Sequence, residues 1–138
     1  MATPTKAKPA AAVSNRKKKP VRKNVGLGIV YILSTFNNTQ VSMTDSAGNV
    51  LAWQTSGVSG FKGARKATPY AATQVAQAML EKIKPMGITH VEIRVSGLGT
   101  GRDAALRAFT TSGMTIHTVR DLTPLPHNGC RPSKARRV

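Results

Sequence analysis

Near residue 60 the spacing of apolar residues changes from two to 3.6, and few folds accommodate that change in a chain of 138 residues. Before it, "GLGIVYILST" (26–35) is a short apolar run rich in β-branched residues, the pattern of a central strand covered on both faces. "FNNT" (36–39) is turn chemistry, "QVSMTD" (40–45) alternates, "SAGN" (46–49) turns again and "VLAWQTS" (50–56) gives a third strand. The short connections predict an antiparallel meander. After the change, Ala72, Val75, Ala76, Met79, Leu80 and Ile83 form one helical stripe between Thr68 and Lys84. Thr68 suits the N-cap and Pro69 the first helical position, while Pro85 and Gly87 stop the helix. "THVEIRVS" (89–96) alternates again, a second helix runs from about Arg102 to Ser112 before Gly113, and "MTIHTVRD" (114–121) is a last strand.

The order βββαβαβ predicts an α/β fold. Its expected form is a mixed five-stranded sheet with helices packed on it, a ribonuclease H-like arrangement; if the fourth and fifth strands are parallel neighbours, the segment joining them through the second helix is a right-handed crossover unit. One core is expected for this length. The predicted organisation is a basic N-terminal extension (1–24), one globular domain (25–122) and an extended basic tail (123–138). Trp53 and Tyr31 fall in strands, and Phe61 reads as a loop plug on the core.

Charge narrows the partner. Lys and Arg number 21 against five acids, a formal net charge of +16, which attracts polyanions. Residues 1–23 carry eight Lys or Arg and no acid, and residues 128–138 carry four and no acid. Like-charged blocks of this kind order on meeting an opposite charge. The leader, with Lys17, Lys18, Lys19, Arg22 and Lys23 running directly into the first strand, is read as an RNA-binding arm in preference to a transit peptide. The single Cys130 rules out an internal disulfide and fits a reducing compartment. No apolar run approaches the roughly 20 residues of a membrane span, so no membrane partner is expected.

The stretch "RVSGLGTGRDAALRA" (94–108) places Gly97, Gly99 and Gly101 between a strand and a helix, where backbone amides and the helix dipole favour an anion. A dinucleotide fingerprint fails because Arg102 stands where the third glycine is required, and a Walker loop fails on spacing and on the absent Lys-Ser/Thr pair. Arg102, followed by Arg107, puts cations at a helix start that normally prefers acids, and Asp103 partly meets that preference. A phosphate shared between cation and helix end is the reading this supports, so a nucleic-acid backbone is favoured over a free nucleotide and no cofactor is expected. "GVSGFKGARKATPYA" (57–71) repeats the logic with Lys62, Arg65 and Lys66 ahead of the Thr68 cap.

In "DLTPLPHNGCRPSKARRV", Pro124, Pro126 and Pro132 exclude helix, leaving an extended strap that ends in Arg131, Lys134, Arg136 and Arg137. His127 and Cys130 are too few for a metal site, so none is predicted. Asn128 before Gly129 is a candidate for succinimide and isoaspartate formation, because glycine offers no hindrance to backbone attack on the amide. A two-metal nuclease needs clustered carboxylates, but Asp45, Glu81, Glu92, Asp103 and Asp121 include none on the first strand. Asp103 reads as dipole compensation and Glu92 as a solvated strand position. No nucleophile has a recognisable activating partner, and neither helix is free to serve as a DNA-recognition helix. A binding protein, not an enzyme, is expected.

"STFNNT", "GFKGARKATPYAA", "GLGTGRDAALRA" and "DLTPLPHNGCRPSKARRV", in this order and spacing, closely resemble the bacterial and organelle S-eleven family of small-subunit ribosomal proteins. The likeness spans roughly Asn24 to Val138. It implies the ribonuclease H-like sheet without nuclease activity and a cytoplasmic or organelle ribosome as location. It also implies a place on the subunit platform bridging 16S rRNA helices, beside the cleft for Shine-Dalgarno pairing of mRNA. Ribosomal proteins seven and eighteen are the implied neighbours, with a link to an initiation factor. By motif, the implied rRNA contacts are Asn37, Asn38, Lys62, Arg65, Lys66, Arg102, Arg107, His127, Asn128, Arg131, Lys134, Arg136 and Arg137. The departures are Ala135, where relatives usually carry Lys, and Leu98, where Pro is frequent.

Overall fold

The computed structural model describes residues 26–135. Of the residues singled out above, Lys17, Lys18, Lys19, Arg22, Lys23, Arg136 and Arg137 lie outside that range. Strands β1 (Leu27–Ser34), β2 (Thr39–Asp45) and β3 (Val50–Thr55) precede helix α1 (Pro69–Ile83), and β4 (His90–Ser96), α2 (Arg102–Thr111) and β5 (Thr115–Asp121) complete the βββαβαβ order. The sheet order is β3-β2-β1-β4-β5. The meander is antiparallel, with Ser34 opposite Thr39 and Val41 opposite Gln54. β4 lies parallel to both β1 and β5, so the condition for a crossover unit is met and the strand–helix–strand segment joins neighbours.

Local chemistry sets the helix limits. The Thr68 hydroxyl accepts from the Ala71 amide at 3.3 Å, and Pro69 occupies the first turn, where a missing N–H costs nothing. After Ile83 the chain tightens into a 3-10 turn, Lys84–Met86, and leaves it through Gly87 at φ 71. A second 3-10 turn, Gly63–Ala67, occupies part of the segment that reads as open loop in the sequence.

Both helices cover one sheet face. Val30, Ile32, Val41, Met43, Val91, Ile93 and Val95 point into the core and meet Ala72, Val75, Ala76, Met79 and Ile83 of α1 with Ala105 and Phe109 of α2. Each such large apolar side chain contributes about 1.5–3 kcal/mol on burial, and the alanines let the helices approach.

The opposite face corrects the expectation for β1. Leu33, on that face, is 43% exposed and Leu27 is exposed too, while Ile29 between them is buried, so the strand is central but its second face is covered only in part. The apolar run misleads because its outward residues stand beside polar neighbours on other strands: Leu33 pairs with Gln40 and Ser96, and Tyr31 with Ser42 and Arg94. Trp53, opposite Ser42, lies on the same face and is 53% exposed. Glu92 also differs from its expected solvated state. Its side chain is only 16% exposed and bridges Arg94 at 3.0 Å and Arg120 at 3.4 Å. The Arg94 guanidinium also donates to the Tyr31 hydroxyl at 3.0 Å.

Candidate nucleic-acid interface

Parallel strands place their ends together, and at the carboxyl ends of β1, β4 and β5 four connecting segments meet. Open α/β sheets generally bind ligands at this end. The β1–β2 turn is held by Thr35, whose amide donates to the Asn38 carbonyl at 2.9 Å and whose hydroxyl accepts from the Asn38 amide at 3.1 Å. Asn37 is left exposed and Asn38 half-buried. The β4–α2 loop lies on that turn through the Gly99 amide, which donates to the Ser34 carbonyl at 2.9 Å. Thr100 ties the same loop to the 3-10 turn before α1, its hydroxyl donating to the Ala67 carbonyl at 2.8 Å.

The three loop glycines are explained by this close approach. A Cβ on Gly97, at φ 98, would overlap the Ser34 carbonyl oxygen, and one on Gly99 would overlap Ser34 Oγ and the Thr35 carbonyl oxygen. A Cβ on Gly101 would sit 2.5 Å from Thr39 Oγ1 and 2.8 Å from Ala72 Cβ. Glycine is therefore required by packing against β1, β2 and α1, whatever the loop binds. The amides of Gly97, Gly99 and Arg102 are all spent inside the protein. Those of Asp103 and Ala104, in the first turn of α2, have no partner among the described residues and face outward from the helix start.

The tail leaves β5 through a second set of bonds. Leu122 N–H donates to the Val95 carbonyl at 2.8 Å, continuing the parallel pairing by one residue. Asp121 accepts from the Thr123 amide at 2.9 Å and the Thr123 hydroxyl at 2.6 Å, and it also accepts from the Arg102 guanidinium. Arg102 further donates to the Gly97 carbonyl at 3.2 Å and Thr123 Oγ1 at 3.3 Å. The Thr123 hydroxyl, then Arg102, hold the Asp121 carboxyl far below the usual carboxylate range. Arg102, expected as a phosphate ligand at a helix start, also joins loop, strand end and tail, with its side chain 28% exposed.

The other cations of this end are free. Lys62, Arg65, Arg107, Arg131 and Lys134 are exposed and Lys66 is half-buried, and none of these side chains pairs with an acid among the described residues. Arg94, Arg102 and Arg120 all pair with acids. Among the described residues, the cations without an acid partner thus include those before α1, Arg107 in α2 and those of the tail, besides Lys82 and Lys84 at the far end of α1, of which Lys82 donates to the Trp53 carbonyl and Gln54 Oε1. His127 and Asn128 are exposed, and Asn128 takes a left-handed backbone at φ 57 ahead of Gly129.

A profile of the family described as "Ribosomal protein S11" matches residues 28–137. The chain belongs to that family. It is 50% identical over 129 residues to the small ribosomal subunit protein uS11 of Borreliella burgdorferi (strain ZS7), covering 94% of this chain and 99% of the relative. With its namesake in Helicobacter pylori (strain Shi470) it shares 52% identity over 123 residues, 88% of this chain and 94% of the relative. Family membership makes the chain a structural ribosomal protein and not an enzyme. Among the described residues no helix is long and apolar enough to cross a membrane.

Proposed function

We propose that the chain is a small-subunit protein that clamps 16S rRNA with the carboxyl end of its sheet. The observation that carries this is the gathering of Lys62, Arg65, Lys66, Arg107, Arg131 and Lys134, unpaired, around two helix starts and a proline-stiffened strap. Unpaired cations beside helix N-termini suit the sugar-phosphate backbone. Asn37 and Asn38 add amide groups at the same end, and His127 and Asn128 extend the contact along the strap. The basic leader, with Lys17, Lys18, Lys19, Arg22 and Lys23, and the terminal Arg136 and Arg137 continue it beyond the described residues. Arg102, part-exposed at the start of α2, contributes to the same interface and positions the tail.

In this reading the protein bridges rRNA helices on the subunit platform, beside ribosomal proteins seven and eighteen, and helps shape the cleft for Shine-Dalgarno pairing of mRNA, with an initiation factor as a neighbour. The family resemblance supports these finer assignments. Crosslinking the chain to small-subunit rRNA and mapping both sides tests them. Crosslinks from Lys62, Lys66 and the strap to platform helices are expected. Crosslinks confined to the amino ends of the strands would refute the assignment of the interface.

A further inference from the structure

At the other end of the sheet from the candidate RNA interface, two histidines stand together. His90 opens β4 and His117 lies in β5, and both are exposed. Regular parallel pairing would place His117 outward opposite Glu92. Instead the register runs His90 to Thr115 and Val91 to Ile116, then jumps from Glu92 to Thr118, so that His117 is the inserted residue of a β-bulge. Bulges bend a strand and re-aim a side chain, and they are rare between parallel strands. Here the bulge brings the two imidazole rings to a centroid separation of 5.1 Å at an interplanar angle of 38°.

That separation fits shared coordination. With Zn–N near 2.0–2.1 Å and the ring centre about 1.2 Å beyond the nitrogen, two imidazoles spanning a tetrahedral angle have centres about 5.2 Å apart. The rings line a concavity of about 480 Å³ on the open sheet face with Gly26, Leu27 and Glu92. Among the described residues no Lys or Arg lines it. Glu92 lies in the concavity, and the guanidinium groups of Arg94 and Arg120 are turned to its Oε1.

We propose that His90 and His117 form a two-imidazole site for a borderline transition-metal ion of the zinc class, with the remaining coordination positions filled by solvent. Among the described residues no group of three or more His, Cys, Asp or Glu could hold an ion, so the protein supplies two ligands only. Imidazole selects zinc, nickel or copper over the magnesium that accompanies RNA, which prefers oxygen. An ion held there links β4 to the edge strand β5 and stabilises the native state by mass action.

The test is a calorimetric titration of the full chain with Zn²⁺ in excess Mg²⁺, alongside thermal unfolding with and without zinc. His90→Asn and His117→Asn are compared with a His127→Gln/Cys130→Ser control, the side chains altered being exposed in every case. Losing a supporting hydrogen bond to a metal ligand costs 10- to 100-fold in affinity, and losing the ligand costs at least about tenfold. Each β-strand variant is expected to bind zinc at least about tenfold more weakly and to lose the zinc-dependent rise in unfolding temperature, while its metal-free unfolding is unchanged. The control is expected to bind as the parent does. Zinc binding that survives both β-strand variants, is abolished in the control, or is displaced by Mg²⁺ would overturn the proposal.

Discussion

Replacing Gly97 by Ala separates two reasons for a glycine-rich loop. If the glycine exists to let a phosphate approach, the variant folds normally and binds RNA poorly. The structure predicts the reverse order of damage. A residue with a Cβ at φ 98 is in a sparsely populated conformation that costs about 1–3 kcal/mol. The same Cβ would overlap the Ser34 carbonyl oxygen, which is part of a buried central strand end and cannot rotate away. Overpacking of this kind adds about 1–3 kcal/mol, for a total of about 2–6 kcal/mol. At about 4–8 °C per kcal/mol for a domain of this size, the unfolding midpoint should fall by at least about 8 °C. Two further glycines calibrate the reading. Gly48 also has positive φ, at 88, but nothing lies within 4 Å of its Cβ position, so Gly48→Ala carries the conformational cost alone. Gly26 has neither problem, and Gly26→Ala should stay within about 0.5 kcal/mol of the parent. Urea and thermal unfolding of the three variants give the ranking. A Gly97→Ala protein as stable as the parent, with its RNA affinity gone, would refute the packing argument.

The Asp121 clamp predicts a pH signature. Because the folded carboxyl is held below its ordinary value, its stabilisation is complete above the usual carboxylate pKa of about 4 and drains away as pH falls through the lower folded value. Urea midpoints of the parent and Asp121→Asn should therefore differ by a constant amount above about pH 5 and converge in acid; a gap unchanged down to pH 2 contradicts this. Thr68→Ala removes the acceptor for the Ala71 amide and should cost about 1 kcal/mol of stability by equilibrium unfolding, whereas an unaltered midpoint would mean that Pro69 alone sets the helix start. Asn128, exposed and followed by Gly129, should accumulate isoaspartate on ageing, and peptide mapping that finds only unmodified Asn128 ends that proposal.

Periodicity and punctuation carried most of the fold. The α1 stripe with Thr68, Pro69 and Gly87 located a helix to within a residue, because cap chemistry is local. The antiparallel meander followed from loop lengths, whereas the pairing of β1 with β4 joins strands more than 50 residues apart and leaves no mark in loop length. What the sequence hid was long-range. The partner of Arg102 is Asp121, 19 residues away, and nothing in the spacing distinguishes a cation facing solvent from one folded back on a strand end. The open face of β1 was hidden for a related reason, since a strand's own residues do not reveal that both helices choose the same side. The 3-10 turn at Gly63–Ala67 lay under a glycine-rich, cationic segment that has the composition of a loop. Bulges such as the one carrying His117 leave no mark in a single strand, because they are mismatches between two.

The central claim concerns unpaired cations and a phosphate chain, and salt reports it most directly. Binding of the full chain to small-subunit rRNA should weaken with a log–log slope of about −0.7 to −0.9 per phosphate neutralised. Replacing Arg131, Lys134, Arg136 and Arg137 by Ala should leave unfolding unchanged and make that slope shallower by about 3. A slope that the four substitutions do not change, or affinity indifferent to salt, would contradict the account.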